Sequence, residues 1–362
     1  GFVRRNVDGD ADGRFRYSHV DPLPPEIVAA IMTLRLLAGI ALCFLATASA
    51  LAIDLDQPEV ETFIDSMVEE HDFDREQLRD TLGSAEVKQS ILDAIARPAE
   101  KTLSWAEYRE IFITPERIQA GAQFWADNED ALRQVSESTG VPMEMLVGII
   151  GVETYFGRIT GSFRVLDALA TLAFSYPPRA KFFRRELEQY LLLVREEGMQ
   201  PTDATGSYAG AMGRPQFMPS SFRAYAVDAT GDGKRDIWNN WTDVAGSIAN
   251  YFLEHGWKSG EDVAALASLG DDWQGPAPEP KNTLKPSETV ASLSRKGVMF
   301  VTDLPGDSKG ELLTYEGADG LEHWVGFHNF FVITRYNRNV MYALAVHQLG
   351  QEIALEVSRS GS

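Results

Sequence analysis

The chain is organised around the stretch Met145-Leu-Val-Gly-Ile-Ile-Gly-Val-Glu153-Thr-Tyr-Phe-Gly157. Met145, Ile149 and Val152 recur at the spacing of one helix face, and Gly157 is a typical end signal just beyond such a helix. The stretch therefore predicts an apolar helix that carries a single carboxylate, Glu153, in its last turn.

Glu153 occupies an unusual place for a helical glutamate. The negative end of the helix macrodipole and the apolar neighbours both disfavour an ionised carboxylate, so we expect the neutral form to be favoured. Such a perturbed acid is a candidate for catalysis. Most helical glutamates are solvated surface residues, however, and this window by itself leaves both interpretations open.

Composition limits the classes of function. A chain of 362 residues is long enough for two or three domains. Acidic residues outnumber basic ones by 53 to 33, and no long Lys/Arg run exists, which argues against a nucleic-acid partner. Cys43 is the only cysteine, so a mature chain that starts near Ile53 has neither thiol chemistry nor disulfides.

The N-terminus has the pattern of a targeting segment. A charged start at Met32, an apolar run and a small-residue exit predict a secretory signal peptide over residues 32–52. Residues 1–31 are then an over-extended start. The alternative is a retained membrane anchor, although the apolar run is short for a permanent span. Leu42 precedes Cys43 where a lipoprotein signal needs a small residue, so we expect no lipid anchor.

Beyond residue 53 the pattern is mostly helical. A helical region over 53–140 precedes the Glu153 helix, and further helices are predicted over 165–175, 179–197 and 242–255. Short runs separated by Gly, Pro and Asp then predict a small antiparallel sheet. Its predicted strands are residues 288–293, 298–302, 311–315 and 323–327. The last segment returns to helix over 331–337 and 340–349.

The stretch 206–221 is rich in Gly, Pro, aromatics and Met, and it lacks the phosphate-loop pattern. Small residues beside the polar Ser207 and Gln216 suit a loop whose backbone approaches a ligand. A tight structural turn without a ligand explains this composition equally well.

The stretch Asp228-Ala-Thr-Gly-Asp-Gly-Lys-Arg-Asp236 matches the opening of an EF-hand calcium loop. Its candidate ligands are the side chains of Asp228, Thr230, Asp232 and Asp236 and the carbonyl oxygen of Lys234. Asn239 stands where the usual closing glutamate is expected, so Asp243 would have to close a longer loop. A metal-free cluster of Asx turns is the alternative.

Carboxylates are the remaining candidates for catalytic chemistry. The zinc motif His-Glu-x-x-His and the nucleophile elbow Gly-x-Ser-x-Gly are both absent. Glycoside cleavage usually needs two carboxylates. One acid suffices if an N-acetyl group of the sugar attacks the anomeric carbon and a neighbouring hydroxyl then displaces it. Glu153 would protonate the leaving oxygen and later deprotonate that hydroxyl.

Several long segments of the sequence, in the same order along the chain, resemble those of the lytic murein transglycosylase B family. They cover most of residues 60–350. The matching words are Ile149-Ile-Gly-Val-Glu-Thr-Tyr-Phe-Gly-Arg158, Val165-Leu-Asp-Ala-Leu-Ala-Thr-Leu-Ala-Phe174, Ser207-Tyr-Ala-Gly-Ala-Met-Gly213, Gln216-Phe-Met-Pro-Ser-Ser221, Ala249-Asn-Tyr-Phe252, His255-Gly-Trp257 and Thr334-Arg-Tyr-Asn337.

The resemblance implies a mainly α (α+β) fold, with a lysozyme-like helical core, a flanking helical domain and a small antiparallel β domain. The implied parts are a helical domain over 53–140, a catalytic core over 141–260 that includes the EF-hand-like loop 228–243, a β domain over 261–328 and a C-terminal helix over 329–356 that returns to the core.

The resemblance also implies the reaction. It is cleavage of the β-1,4 bond between N-acetylmuramic acid and N-acetylglucosamine in peptidoglycan, without water, which leaves a 1,6-anhydromuramoyl end. Glu153 is then the only catalytic acid and base. Ser207, Gln216, Tyr336 and Asn337 fall on positions that line the sugar groove in the family. Arg179 falls in a contact region for the peptide stem, where Tyr176-Pro-Pro-Arg179 departs from the common Tyr-Pro-Arg-Arg.

No cofactor is implied for catalysis, but a structural calcium ion (Ca²⁺) is. Its implied ligands are Asp228, Thr230, Asp232, the Lys234 carbonyl and Asp243. The expected setting is a soluble, monomeric periplasmic enzyme that acts on glycan strands of peptidoglycan, with cell-wall synthesis or division proteins as candidate partners. Two alternatives stay open: a hydrolytic muramidase with a second carboxylate brought close by folding, and a calcium-dependent glycan-binding protein without activity.

Overall fold

The computed structural model describes residues 51–97 and 103–360. The predicted start over 1–31 lies outside the described residues, and of the predicted signal peptide only Leu51 and Ala52 lie inside them. These two residues form strand β1, which pairs antiparallel with strand β2, Glu86–Val87. The described residues belong to one compact unit, so its subdivision at residues 140, 260 and 328 stays a prediction.

The first part of the described chain is helical, as the periodicity predicts. Its helices are α1 Pro58–His71, α2 Arg75–Gly83, α3 Gln89–Ile95, α4 Trp105–Phe112, α5 Pro115–Asp127 and α6 Glu129–Thr139. Side chains define several of the starts. Ser104 and Glu107 form a capping box at α4, and the Thr114 side chain accepts a hydrogen bond from the Arg117 N–H at α5. These caps fix where the chain turns toward the central helices.

The central helices form the core. They are α7 Met143–Thr154, α8 Val165–Ser175, α9 Ala180–Glu196, α10 Pro219–Tyr225 and α11 Trp241–Glu254, with the short strand pair β3 Phe163–Arg164 and β4 Thr205–Gly206. Nine residues of α7 are buried, and so are nine of α8. A helix that is apolar on all sides lies inside the protein, which explains why α7 sits at the centre and not on a face.

A small antiparallel sheet follows, in the strand order β6-β8-β9-β5-β7. Its strands are β5 Ala264–Leu269, β6 Glu288–Thr289, β7 Val298–Met299, β8 Lys309–Gly317 and β9 Gly320–Phe327. Strands β8 and β9 form the longest pair, with Leu312 opposite Val325. One side of the sheet has a core of its own, made by Val290, Leu293, Val298, Val325 and Phe327.

The sheet differs from the sequence prediction in three details. The strand predicted over 298–302 is wrong beyond Met299, where β7 ends. Residues 290–293 belong to helix α12, Val290–Arg295, because the Thr289 side chain accepts the Ser292 N–H and caps a helix there. Strand β5 was missed because its Ala-Ala-Leu-Ala-Ser-Leu sequence lacks the β-branched and aromatic residues that favour strands. It is held by pairing with β9 and β7 on its two sides.

The C-terminal segment consists of two helices, α13 His328–Tyr336 and α14 Val340–Ser360. Helix α14 crosses α7 with the two backbones in contact. A Cβ atom at Gly148 would lie 2.5 Å from the Val346 carbonyl oxygen, and one at Gly350 would lie 2.2 Å from that of Glu144. The crossing places the first turn of α14 beside the last turn of α7. Within the described ranges, no helix has the combined length and apolar character needed to cross a membrane.

Candidate active site

Glu153 lies in the last turn of α7 and is half-buried. The helix ends at Thr154, three residues before the predicted stop signal Gly157. The chain is left-handed at Tyr155 (φ 49°), Phe156 (φ 59°) and Gly157 (φ 79°). Left-handed non-glycine residues are uncommon and strained, and they occur preferentially at functional sites. The backbone that follows Glu153 is therefore held in place by its surroundings.

Thr154 is one of the residues that hold this turn. Its buried Oγ1 accepts the Gly157 N–H at 3.1 Å and lies 3.1 Å from the Arg214 carbonyl oxygen. The Arg214 guanidinium in turn lies 3.7 Å from the centre of the Trp241 ring. The end of α7 is thereby joined to the 206–219 loop and to the start of α11.

Tyr342, in the first turn of α14, donates a hydrogen bond of 2.6 Å from its hydroxyl to Oε1 of Glu153. Burial and the nearby carboxylate of Glu153 raise the pKa of Tyr342 well above its usual value, so the hydroxyl keeps its proton and stays a donor. A hydrogen bond to a carboxylate is short and strong. Sequence reasoning missed Tyr342, although a tyrosine inside an apolar helix signals a polar partner for its hydroxyl.

Tyr336, a predicted substrate residue, lies beside this pair. Its ring is nearly parallel to that of Tyr342, at 12° with 6.5 Å between the ring centres. Its hydroxyl donates to the Pro215 carbonyl at 2.7 Å, which ties α13 to the loop that contains Gln216. Burial, followed by the charge of Glu153, raises the pKa of Tyr336 well above its usual value. The fold thus brings Tyr336 and Glu153 into one site.

Ser207 and Gln216, two further predicted groove residues, lie on the loop between β4 and α10, which the Tyr336 hydroxyl contacts at Pro215. Ser207 Oγ accepts the N–H groups of Ala209 and Ala211, so it shapes its own turn. Gln216 is left-handed (φ 52°), and its Nε2 donates to the carbonyls of Thr160 and Gly213. These contacts build the loop, and sugar binding by the two side chains stays a prediction.

Asn337 and Arg179 complete the predicted set. Asn337 directly follows Tyr336, at the end of α13, and its carbonyl accepts the Asn339 N–H at 2.7 Å. Arg179 is exposed at the end of the single turn Pro177–Arg179, with its guanidinium 4.3 Å from the Phe182 ring centre. Asn337 therefore shares the loop that joins the two tyrosine-bearing helices, whereas the contacts of Arg179 are with α9.

The predicted calcium loop brings three carboxylates together. Oxygen atoms of Asp228, Asp232 and Asp243 all lie within 4.8 Å of one another. Asp243 is fully buried, and its Oδ1 accepts the N–H groups of Ala229 and Thr230. Hydrogen bonds from loop N–H groups, the strongest from Gly233, lower the pKa of Asp228. Asp243 therefore belongs to the cluster although it lies beyond the usual closing position of such a loop.

The remaining predicted ligands, Thr230, Asp236 and Lys234, differ from one another in their contacts. Thr230 Oγ1 lies 3.3 Å from carboxylate oxygens of both Asp228 and Asp243. The Asp236 carboxylate instead accepts the N–H groups of Trp238 and Asn239, and it is not one of the three converging carboxylates. The Lys234 N–H donates to Asp232 Oδ1. Three converging carboxylates and a hydroxyl are the hard oxygen donors that Ca²⁺ takes in proteins, so the residues fit this ion.

A mainly α fold with a small antiparallel sheet and a buried central helix is the lysozyme-like fold of the lytic transglycosylases, a class of enzymes that cleave peptidoglycan. Residues 55–351 match the family model described as the transglycosylase SLT domain, and the chain belongs to this family.

Three relatives illustrate the similarity. Membrane-bound lytic murein transglycosylase B of Escherichia coli (strain K12) is 43% identical over 309 residues, which span 83% of this chain and 84% of the relative. Soluble lytic transglycosylase SltB1 from Pseudomonas aeruginosa is 48% identical, with a TM-score of 0.77, over 84% of this chain and 100% of that one. The Escherichia coli lytic transglycosylase Slt35, in complex with calcium, is 44% identical, with a TM-score of 0.76. The match covers 84% of this chain and 96% of that one.

Proposed function

We propose that Glu153 is the single catalytic acid and base of a lytic transglycosylase that cleaves the β-1,4 bond between N-acetylmuramic acid and N-acetylglucosamine in peptidoglycan. The activity class is that of the family to which the chain belongs. The observation that carries the assignment of Glu153 is its hydrogen bond of 2.6 Å with the buried Tyr342 hydroxyl, at the strained end of a core helix.

The proposed reaction has two proton transfers through one carboxyl group. Glu153 protonates the glycosidic oxygen while the N-acetyl group attacks the anomeric carbon, and the bond to the leaving sugar breaks. The resulting carboxylate then removes the proton of the C6 hydroxyl, whose oxygen displaces the N-acetyl group and closes the 1,6-anhydro ring. Tyr342 orients the carboxyl group and stabilises its charged form between the two steps.

The substrate is proposed to lie over Glu153 with its polar groups bound from neighbouring loops. Ser207, Gln216, Tyr336 and Asn337 are the proposed sugar-binding residues, and Arg179 is the proposed contact for the peptide stem. The direct hydrogen bond between Tyr336 and the loop of Gln216 supports a shared groove. The half-buried Tyr336 ring beside Glu153 offers an apolar face of the kind on which sugar rings pack.

Glu153→Gln tests the assignment, because the amide keeps the shape of the side chain but cannot give or take the proton. We expect loss of cleavage with retained binding to insoluble peptidoglycan. Mass spectrometry of a wild-type digest should show anhydromuramoyl ends. Turnover by Glu153→Gln at the wild-type rate would remove Glu153 from the mechanism. Reducing muramic ends would instead establish the hydrolytic muramidase, and binding without any wild-type cleavage would establish the inactive glycan-binding protein.

We also propose that the loop 228–243 binds a structural calcium ion. Asp228, Thr230, Asp232, the Lys234 carbonyl and Asp243 would hold it, and Asp236 would support the loop by its hydrogen bonds to Trp238 and Asn239. The convergence of three carboxylates supports this proposal, as does the calcium complex of a relative. Bound Ca²⁺ would offset the repulsion among these carboxylates and so stabilise the fold, while the catalytic steps need no cofactor.

The proposed setting is the periplasm, with glycan strands of peptidoglycan as substrate. A relative that is membrane-bound by name is consistent with a location in the cell envelope. We propose export by the signal peptide 32–52, a monomeric enzyme without a lipid anchor, and cell-wall synthesis or division proteins as candidate partners. Cell fractionation with N-terminal sequencing tests this: a mature terminus near Ile53 in the periplasmic fraction is expected, and a lipid-modified Cys43 would contradict it.

A further inference from the structure

Arg117 reaches the end of the catalytic helix from a different element. It lies in the first turn of α5, where its own N–H is bound by the Thr114 side chain. Its Nη1 donates to the Gly151 carbonyl at 3.0 Å, two residues before Glu153. Its guanidinium also lies 4.7 Å from the ring centre of Tyr155, two residues after Glu153. One side chain therefore contacts the backbone on one side of the acid and the side chain on the other.

The contact with Tyr155 falls where the backbone is strained. Tyr155 is left-handed, a conformation that is unfavourable for a non-glycine residue and persists only where surrounding contacts hold it. The Arg117 guanidinium also lies 5.3 Å from the ring centre of Phe112. A cation over an aromatic ring stabilises a partly desolvated arrangement. These contacts favour the turn that ends α7 directly after Glu153.

The positive charge of Arg117 is also favourable at the C-terminal end of α7. The Gly151 carbonyl, which accepts the Tyr155 N–H as well, belongs to the negative end of the α7 dipole. Burial lowers the pKa of Arg117, the mark of a cation held partly out of water. Within the described part of the chain, no carboxylate oxygen lies within 4.0 Å of its guanidinium, so its partners are this helix end and the two rings.

We infer that Arg117 is a positioning residue for Glu153: it holds the left-handed end of α7 so that the carboxyl group stays aligned with the Tyr342 hydroxyl and the scissile bond. The inference rests on the proposed catalytic role of Glu153. Arg117 acts through the helix end and not on the substrate. Its loss should therefore lower kcat and leave KM near the wild-type value, because the sugar-binding loops are carried by other elements.

The test replaces Arg117 by Ala and by Lys and measures kcat and KM on purified peptidoglycan. We expect Arg117→Ala to lower kcat by about 10- to 100-fold, the scale of a small misplacement of a catalytic group. Arg117→Lys keeps the charge and a donor but loses the planar stacking, so an intermediate kcat is expected. Added guanidinium ion, at millimolar concentration, should restore part of the activity of Arg117→Ala by filling the vacated site.

Arg158→Ala is the matched control. The Arg158 guanidinium lies 4.9 Å from the ring centre of the same Tyr155, but this residue is exposed and comes after the turn. Its variant should keep kcat within a factor of about three and gain nothing from guanidinium ion, as expected of an exposed cation–π pair.

The outcomes separate this inference from the proposed function. Glu153→Gln is assayed in parallel: if it stays active, the catalytic assignment fails whatever Arg117 does. If Glu153→Gln is inactive while Arg117→Ala and Arg117→Lys both keep the wild-type kcat, only the positioning role is overturned. If Arg117→Ala fails to fold, the folded Arg117→Lys decides, and a wild-type kcat in that variant overturns the inference. A fall in kcat that guanidinium ion does not reverse, with an equal rise in KM, also overturns it.

Discussion

At the scale of the residue, the candidate site is a carboxyl group hydrogen-bonded by one buried tyrosine, with a second tyrosine beside it. Tyr342 bonds Glu153 directly, and Tyr336 lies against Tyr342 and bonds the Pro215 carbonyl. Both hydroxyls stay protonated because burial and the neighbouring carboxylate disfavour a phenolate. Tyr342 thus supplies a permanent donor to Glu153, which changes its protonation state twice in each turnover of the proposed mechanism, while the Tyr336 hydroxyl donates to the Pro215 carbonyl.

Tyr342→Phe removes the donor to Glu153 and leaves the ring in place. A hydrogen bond to a charged group contributes about 1.5–3 kcal/mol, so kcat should fall by about 10- to 100-fold if the bond stabilises the carboxylate between the two steps. Digestion of purified peptidoglycan measures this rate.

Tyr190→Phe serves as the control for that substitution. The Tyr190 hydroxyl is also buried and donates to a carbonyl, that of Pro201 at 2.7 Å, but it makes no contact with Glu153. The control should lose stability without losing kcat. An equal kcat in Tyr342→Phe and the wild type would show that the tyrosine bond does not assist the reaction.

At the scale of the element, the site depends on how closely two helices cross. Gly148 on α7 and Gly350 on α14 each face the backbone of the partner helix. Any side chain there would separate the helices, and the hydroxyl of Tyr342 would move away from Glu153. Glycine is thus needed here for close approach, not for an unusual backbone angle.

Gly148→Ala should therefore harm both stability and activity. Its Cβ would lie 2.5 Å from the Val346 carbonyl oxygen, and overpacking of this kind costs about 1–3 kcal/mol. Denaturant unfolding and kcat measure the two effects. Gly83→Ala is the control, because its Cβ would meet only the Leu55 side chain at 3.5 Å, an ordinary contact. A Gly148→Ala protein as stable and active as the wild type would contradict the close crossing.

In the loop 228–243, the contributions of metal binding and of loop hydrogen bonds to stability can be measured with different variants. Asp232 is exposed and accepts one loop N–H, from Lys234. Asp243 is buried and accepts the N–H groups of Ala229, Thr230 and Asp236. Asp232→Asn should abolish the rise in melting temperature on adding Ca²⁺, with little loss in a chelator.

Asp243→Asn should lower the melting temperature even in the chelator, because one of its carboxylate oxygens becomes an amide donor facing buried N–H groups. Differential scanning calorimetry with and without Ca²⁺ makes the comparison. If the wild type shows no calcium-dependent shift, the loop is a metal-free turn.

At the scale of the whole molecule, one buried histidine should shape the dependence of stability on pH. Burial lowers the pKa of His347 from 6.5 to about 4. The unfolded chain therefore binds a proton that the folded chain excludes, and stability falls as pH drops from about 6.5 to about 4, by about 3 kcal/mol in all. His347→Phe should flatten the unfolding free energy over this interval. An unchanged pH dependence in that variant would mean that His347 is not the group responsible.

Much of this fold could be predicted from the sequence, because its central helices are long and strongly apolar. Helix α8 has the predicted bounds, Val165–Ser175, and the start of α5 follows from Thr114 and Pro115. The errors fall on short segments. Strand β5 is rich in alanine and was missed, and residues 290–293 form a helix because a single capping side chain outweighs their strand-like composition.

The sequence by itself determined the family, the mainly α fold, the candidate acid Glu153 and the acidic loop 228–243, because each is written in contiguous residues with local periodicity or spacing. Only the tertiary structure decided what surrounds the acid. Tyr342 lies 189 residues from Glu153 along the chain, and Arg117 lies 34 residues from the Gly151 carbonyl that it bonds. The backbone contact of α7 with α14 and the left-handed turn at Tyr155 bring these groups together, and neither arises from local sequence preference, since both depend on packing between distant helices.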